Sequence, residues 1–230
     1  MIKFYDVDLK IEKKLVPKKE DALVVIDMQN DFLPGGSLAV EGGDSIINGI
    51  NNLIEKFTDS SVVHSQDWHP PEHLSFAENH PGKNPGDEFQ TKDGAIGPIL
   101  WPAHCVQNTY GARFHKKIDT KKIDKIIQKG MNPKIDSYSA FLENDKKTET
   151  GMKEYLNENG IERIFICGLA LDYCCYNTAM DGAGFKFDTY FIVDLTRGVD
   201  LPPGNIVSTL KSMSKKGIKF AIKDSFQDWE

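Results

Sequence analysis

Apolar residues along the chain gather into short blocks bracketed by polar or turn residues. The blocks at 22–26, 61–64, 123–127, 163–167 and 189–193 read as buried strands, with a closing strand at 218–222. Ala22-Leu23-Val24-Val25-Ile26 has no polar alternation, the pattern of a strand covered on both faces. Helix-like stretches at 43–57, 148–159, 173–183 and 204–215 separate or follow the strands, and Gly160 and Gly184 stand where helix C-caps belong. Strands alternating with helices predict βαβ units with right-handed crossovers. The expected fold is a three-layer α/β/α doubly wound domain with a mainly parallel six-stranded sheet.

That topology carries a chemical expectation, because catalytic groups in such sheets gather beyond the carboxyl ends of the strands. The stretch 67–111 is rich in Pro, Gly and His and too long for a plain connection, and loops of that length are usually functional or disordered. No linker, repeat or low-complexity tract divides the 230 residues. One domain, 1–230, is expected, with residues 1–20 as a charged N-terminal extension.

Composition narrows the classes further. A hydrophobic share of 40% and a charged share of 27% are those of an ordinary globular protein. A net charge of -6 argues against a nucleic-acid partner, which needs a concentrated excess of Lys and Arg. Charges interrupt the first twenty residues where a signal peptide needs an apolar run, and no stretch approaches the roughly 20 apolar residues of a membrane span. A cytoplasmic location with no membrane partner is expected. The four cysteines, two of them adjacent at Cys174 and Cys175, are expected to be reduced thiols.

Three strand ends carry reactive side chains. The block 163–167 runs through Gly168 into Leu169-Ala170-Leu171-Asp172-Tyr173-Cys174, so a cysteine, Cys174 or Cys175, sits at a strand-to-helix turn. A helix N-terminus there would favour a thiolate and offer N–H groups to an oxyanion. A lone buried cysteine is more often structural, so position alone does not decide. Asp27 ends the first of these strands and could take a thiol proton. Lys129 ends another, where its ammonium would hold Asp27 ionised. Asp67 and His69 alternate after the second strand and would point to one side; His104 is a plausible third ligand. Oxygen and imidazole donors suit zinc, manganese or iron, while His64, His73, His80 and His115 leave the ligand set open.

Taken together, several segments resemble the nicotinamidase/pyrazinamidase family of isochorismatase-like cysteine hydrolases, from about Asp21 onward. They are 25–32 (VIDMQNDF) with 35–38 (GGSL), 67–70 (DWHP), 101–107 (WPAHCVQ), Lys129-Gly130, 138–141 (YSAF) and 168–174 (GLALDYC). The resemblance implies a triad of Asp27, Lys129 and Cys174, which separates Cys174 from Cys175. It implies an oxyanion hole from the N–H groups of Ala170 and Cys174, and a cis peptide between Leu169 and Ala170. Asp67, His69 and His104 would bind one divalent metal, zinc first and manganese or iron as alternatives, with His73, Ser75 or water as a fourth contact. Phe32 and Trp101 would sandwich a pyridine ring, with Leu38 and Tyr138 nearby. The implied reaction is hydrolysis of nicotinamide, and of the related pyrazinamide, through a cysteine thioester, feeding NAD salvage. Self-association into a homo-oligomer is a further family expectation.

Overall fold

The computed structural model describes residues 1–226. A parallel six-stranded sheet forms from β3 (Asp21–Ile26), β4 (Ser61–Asp67), β5 (Lys125–Lys129), β6 (Arg163–Leu169), β7 (Asp188–Arg197) and β8 (Lys219–Ala221), in the spatial order β5-β4-β3-β6-β7-β8. The chain winds outward from β3 to β5, then returns to β6 on the other side of β3. This reversal opens a crevice at the carboxyl ends of β3 and β6.

Alternating side chains of the central strands feed two cores. Ala22, Val24, Ile26, Ile164 and Ile166 pack under α2 (Met152–Glu158), α3 (Tyr176–Gly184) and α4 (Asn205–Lys216). Leu23, Val25, Phe165, Cys167 and Leu169 face α1 (Ile47–Ile54) on the opposite side. All six residues of β3 are buried, as a strand sandwiched between helical layers requires. At the base of the sheet Arg163 clamps Asp21 bidentately, Nε to Oδ1 at 2.8 Å and Nη2 to Oδ2 at 2.6 Å, tying β6 to β3. The expected fold class and all six strands are therefore observed.

Boundaries differ from the sequence reading in instructive places. β4 runs on to Asp67 and β6 to Leu169, because their terminal residues still pair with neighbouring strands. The stretch 43–57 divides into a 3₁₀ turn (Gly43–Ile46) and the shorter α1. Gly160 takes the left-handed conformation just past α2, whereas Gly184 is the last residue of α3 and Lys186 takes the left-handed position instead. A hairpin of β1 (Ile2–Phe4) and β2 (Val7–Leu9) was not anticipated; its tight turn is Tyr5-Asp6, and Val7 and Leu9 are buried. All four cysteines are free thiols. Among the described residues no helix is long and apolar enough to cross a membrane.

Candidate active site

Asp27 follows the last residue of β3 with a left-handed backbone, φ 46°, which turns the chain sharply at the sheet edge. Its carboxylate is fully buried. Ser65 of the neighbouring β4 holds it, donating its hydroxyl to Oδ1 at 2.6 Å and accepting from the Asp27 N–H at 3.2 Å. Lys129, the last residue of β5, is also fully buried. Its Nζ lies 3.0 Å from Asp27 Oδ2 as an ion pair and donates to Asp67 Oδ1 at 2.5 Å, to the Ser137 carbonyl at 2.8 Å and to Cys174 Sγ at 3.5 Å. The reacting atoms of Asp27, Asp67 and Cys174 lie within 4.8 Å of one another. Three strand ends thus bring Asp27, Lys129 and Cys174 into one cluster.

Cys174 sits in a π-helical turn (Leu171–Cys175) that leads directly into α3, not in the first turn of a regular helix. The Leu169–Ala170 peptide before it is cis. A helix N-terminus would favour a thiolate here, and the environment opposes one: burial pushes the thiol well up, Lys129 works against that, and Asp27 and Asp67 add to it. Asp27 is likewise raised by burial, which the Lys129 ammonium offsets without overcoming. Lys129 itself stays firmly charged, since Asp27 and Asp67 outweigh the burial that disfavours its ammonium. The resting cluster is therefore a protonated thiol beside a basic carboxyl and a fixed cation.

The second cluster adjoins the first through Asp67. Asp67 Oδ2 lies 3.6 Å from His69 Nε2 and 3.8 Å from His104 Nε2, beyond hydrogen-bond range. Each ring is pinned from behind, His69 Nδ1 by the Gly130 carbonyl at 2.9 Å and His104 Nδ1 by the Pro102 carbonyl at 2.8 Å. If Nδ1 carries the proton in both, both Nε2 lone pairs turn inward, the arrangement of metal-ligating histidines with outer-sphere partners. Metal bonds of about 2.0–2.2 Å at tetrahedral angles place ligand atoms roughly 3.3–3.6 Å apart, close to the spacing seen. Burial above all lowers His104 to about 4, keeping it available as a neutral ligand. Burial would raise Asp67, yet the Lys129 ammonium beside it holds its carboxyl well below the usual range. The donor set fits a metal ion. His73 bonds Ser75 Oγ through Nδ1 at 2.7 Å and clusters with His69 and Asp136, apart from His104.

An apolar pocket opens onto both clusters. Phe32, Leu38, Trp101 and Tyr138, all anticipated, line it with Ala170 and Cys174. Trp101 donates its indole N–H to the Tyr138 hydroxyl at 3.1 Å, which orients both rings. Tyr173 packs edge-on against Trp101, with centroids 5.0 Å apart, and donates its hydroxyl to the Leu201 carbonyl. Tyr173, Val40, Val199 and Ser137 belong to the site without having been anticipated, as does Ser65. Ser65 left a signal: it alternates with Asp67 on a buried strand, where a polar side chain needs a partner. Gln29 is a scaffold residue of the same kind, donating to the Asp67 carbonyl at 2.8 Å and accepting the Asp67 N–H at 2.8 Å.

Residues 21–217 match the isochorismatase domain family model. The nicotinamidase of Acinetobacter baylyi is 42% identical over 209 residues, 91% of this chain and 95% of that protein. A solved Acinetobacter baumanii nicotinamidase/pyrazinamidase superposes with a TM-score of 0.86 at 42% identity, covering 90% of this chain and 97% of its own. A Pyrococcus horikoshii pyrazinamidase solved in complex with zinc superposes with a TM-score of 0.72 at 36% identity, covering 88% and 99%.

Proposed function

The chain belongs to the isochorismatase family, and from that premise we propose that it is a nicotinamidase, hydrolysing nicotinamide to nicotinate and ammonia. The observation that carries this reading is the convergence of a Cys174 thiol, the raised Asp27 carboxyl and the Lys129 ammonium beneath an aromatic pocket. The 42% identical nicotinamidase relative supports the substrate. The ring lies between Phe32 and Trp101, with Leu38 and Tyr138 closing its edge and the carboxamide carbon over Cys174 Sγ.

Asp27 takes the Cys174 proton as Sγ attacks the carboxamide carbon, and the oxyanion accepts hydrogen bonds from the Ala170 and Cys174 N–H groups. Asp27 then passes that proton to the departing nitrogen, so ammonia leaves and a nicotinoyl thioester remains on Cys174. Water enters, Asp27 takes one of its protons, and the hydroxide oxygen forms the new C–O bond while the C–S bond breaks. The proton on Asp27 returns to Sγ. Lys129 stays charged throughout and balances Asp67 and, when it is ionised, Asp27. Asp67, His69 and His104 would hold a divalent ion, which would supply a Lewis-acid contact that orients the pyridine ring and with it the amide. Zinc is the preferred ion, supported by the zinc complex of the Pyrococcus relative, and manganese or iron suit the same donors. Pyrazinamide presents the same ring nitrogen and carboxamide and is a second substrate. Nicotinate feeds NAD salvage, in the cytoplasm, and the working form is a homo-oligomer.

Ammonia release from nicotinamide by the metal-loaded chain tests this reading. Turnover is expected in the wild type and in Cys175→Ala, with a loss of about 10⁴-fold or more in Cys174→Ala. Undiminished turnover in Cys174→Ala would overturn the mechanism, and a silent wild type would overturn the substrate assignment.

A further inference from the structure

One buried acid at the site has no part in the chemistry above. Glu143 is 6% exposed, its Oε2 has no protein partner among the described residues, and its Oε1 accepts the Gly130 N–H at 3.4 Å. We infer that Glu143 is a positioning residue that fixes the Gly130 peptide and, through its carbonyl, the tautomer and orientation of the metal-ligating ring of His69. This role rests on the metal reading of Asp67, His69 and His104.

Gly130 is where β5 leaves the sheet, directly after Lys129. Its left-handed φ of 66° and its closeness to His69, whose Cε1 would stand 2.3 Å from any added Cβ, make this one peptide the seat of the imidazole. The carbonyl of Gly130 accepts from His69 Nδ1 while its N–H is held by Glu143, so the residue is gripped at both polar groups. Glu143 is itself anchored: its N–H donates to the Thr148 carbonyl at 2.9 Å and its carbonyl accepts from Lys146 N–H at 2.9 Å. The same segment carries Ser137 and Tyr138 of the site, and Asn144 ties its two ends together by donating to the Asp136 carbonyl at 2.7 Å. One carboxyl thus joins the loop forming a wall of the pocket to the strand end bearing Lys129. Burial raises Glu143 to about 7, with the Gly130 N–H and Lys129 opposing. Either protonation state keeps an acceptor oxygen for Gly130, so reach matters here and charge does not.

Zn²⁺ affinity of the full-length chain, measured by competition with a chelator, separates reach from charge. Glu143→Asp keeps the charge and loses the reach; Glu143→Gln keeps the reach and loses the charge. Glu143→Asp and Glu143→Ala are expected to bind Zn²⁺ at least about tenfold more weakly, the usual penalty for losing an outer-sphere support. Glu143→Gln is expected within about threefold of wild type. Should Glu143→Ala fail to fold, the Asp and Gln pair decides alone. Unchanged affinity in Glu143→Asp, an equal loss in Glu143→Gln, or a lower metal-free Tm without a change in affinity would overturn the role. A wild type that binds no Zn²⁺ would overturn the metal reading itself and this role with it.

Discussion

Cys174 is a weak nucleophile until a proton leaves it, since burial raises its thiol further than Lys129 can lower it. Asp27 is suited to that proton because burial has also raised its carboxyl, which makes it a better base than an exposed aspartate. Replacing Asp27 with Asn preserves its shape and the Ser65 contact while removing the base. A fall in kcat of about 10²–10⁴ with little change in substrate affinity is expected; single-turnover acylation kinetics check it, and acylation at the wild-type rate would remove Asp27 from the mechanism. His64 shows how burial acts away from the site. It is wholly buried with both ring nitrogens unpartnered among the described residues, its ring edge-on to Phe114, and burial lowers it to about 4 against a usual 6.5. Below pH 6.5 the unfolded chain takes up the proton that folded His64 refuses, so its contribution to stability is lost between pH 6.5 and pH 4. The full difference is on the order of 3 kcal/mol. Urea unfolding of His64→Leu at pH 7 and pH 4.5 should show a visibly flatter dependence than wild type. Parallel curves would mean that His64 does not titrate in this way.

Strand ends do more than deliver side chains, because their backbones must meet closely enough to bring Asp27, Lys129 and Cys174 within a few ångström. Gly168 of β6 pairs with Ile26 of β3 at φ 113°, and a Cβ there would stand 2.2 Å from the Ile26 carbonyl oxygen. Gly168→Ala must push β3 and β6 apart at the ends that carry Asp27 and the turn of Cys174. A destabilisation of about 3 kcal/mol or more is expected from that clash, with a fall in kcat beyond what the unfolded fraction explains. Urea unfolding together with kcat corrected for folded protein would show it; wild-type values for both would refute the close approach. At this scale the sequence was informative where burial is two-sided, and β3, β6 and β7 stand out as apolar blocks for that reason. It was silent where geometry depends on distant pairing. Ser65 meets Asp27 because β4 lies in register with β3, and Glu143 meets Gly130 because a turn at 142–149 folds back. Neither contact leaves a local period. The π-helical turn at 171–175 was hidden likewise, since its residues read as the start of an ordinary helix.

The whole molecule adds to the family domain a segment that precedes residue 21, where the family match begins. Its hairpin was missed in the sequence because each strand is three residues long and its turn, Tyr5-Asp6, lacks the Asn-Gly or Asp-Gly signal. The hairpin is not a loose tail: Val7 and Leu9 lie in the same core as Ile206, Leu210 and Met213 of α4, and Ile11 bridges to Phe220 of β8. Full burial of such side chains stabilises by roughly 1.5–3 kcal/mol each, an upper figure since unfolded chains bury part of this surface already. Removing residues 1–10 exposes that side of α4 and β8, and the expected loss is about 2–4 kcal/mol. Every side chain lining the pocket comes from Phe32 or later. The truncated chain should therefore show a lower urea midpoint and, where folded, a kcat/KM for nicotinamide within about threefold of the full chain. An unchanged midpoint would mean that Val7 and Leu9 contribute nothing as a core. A large change in kcat/KM with the fold intact would instead tie the hairpin to the chemistry.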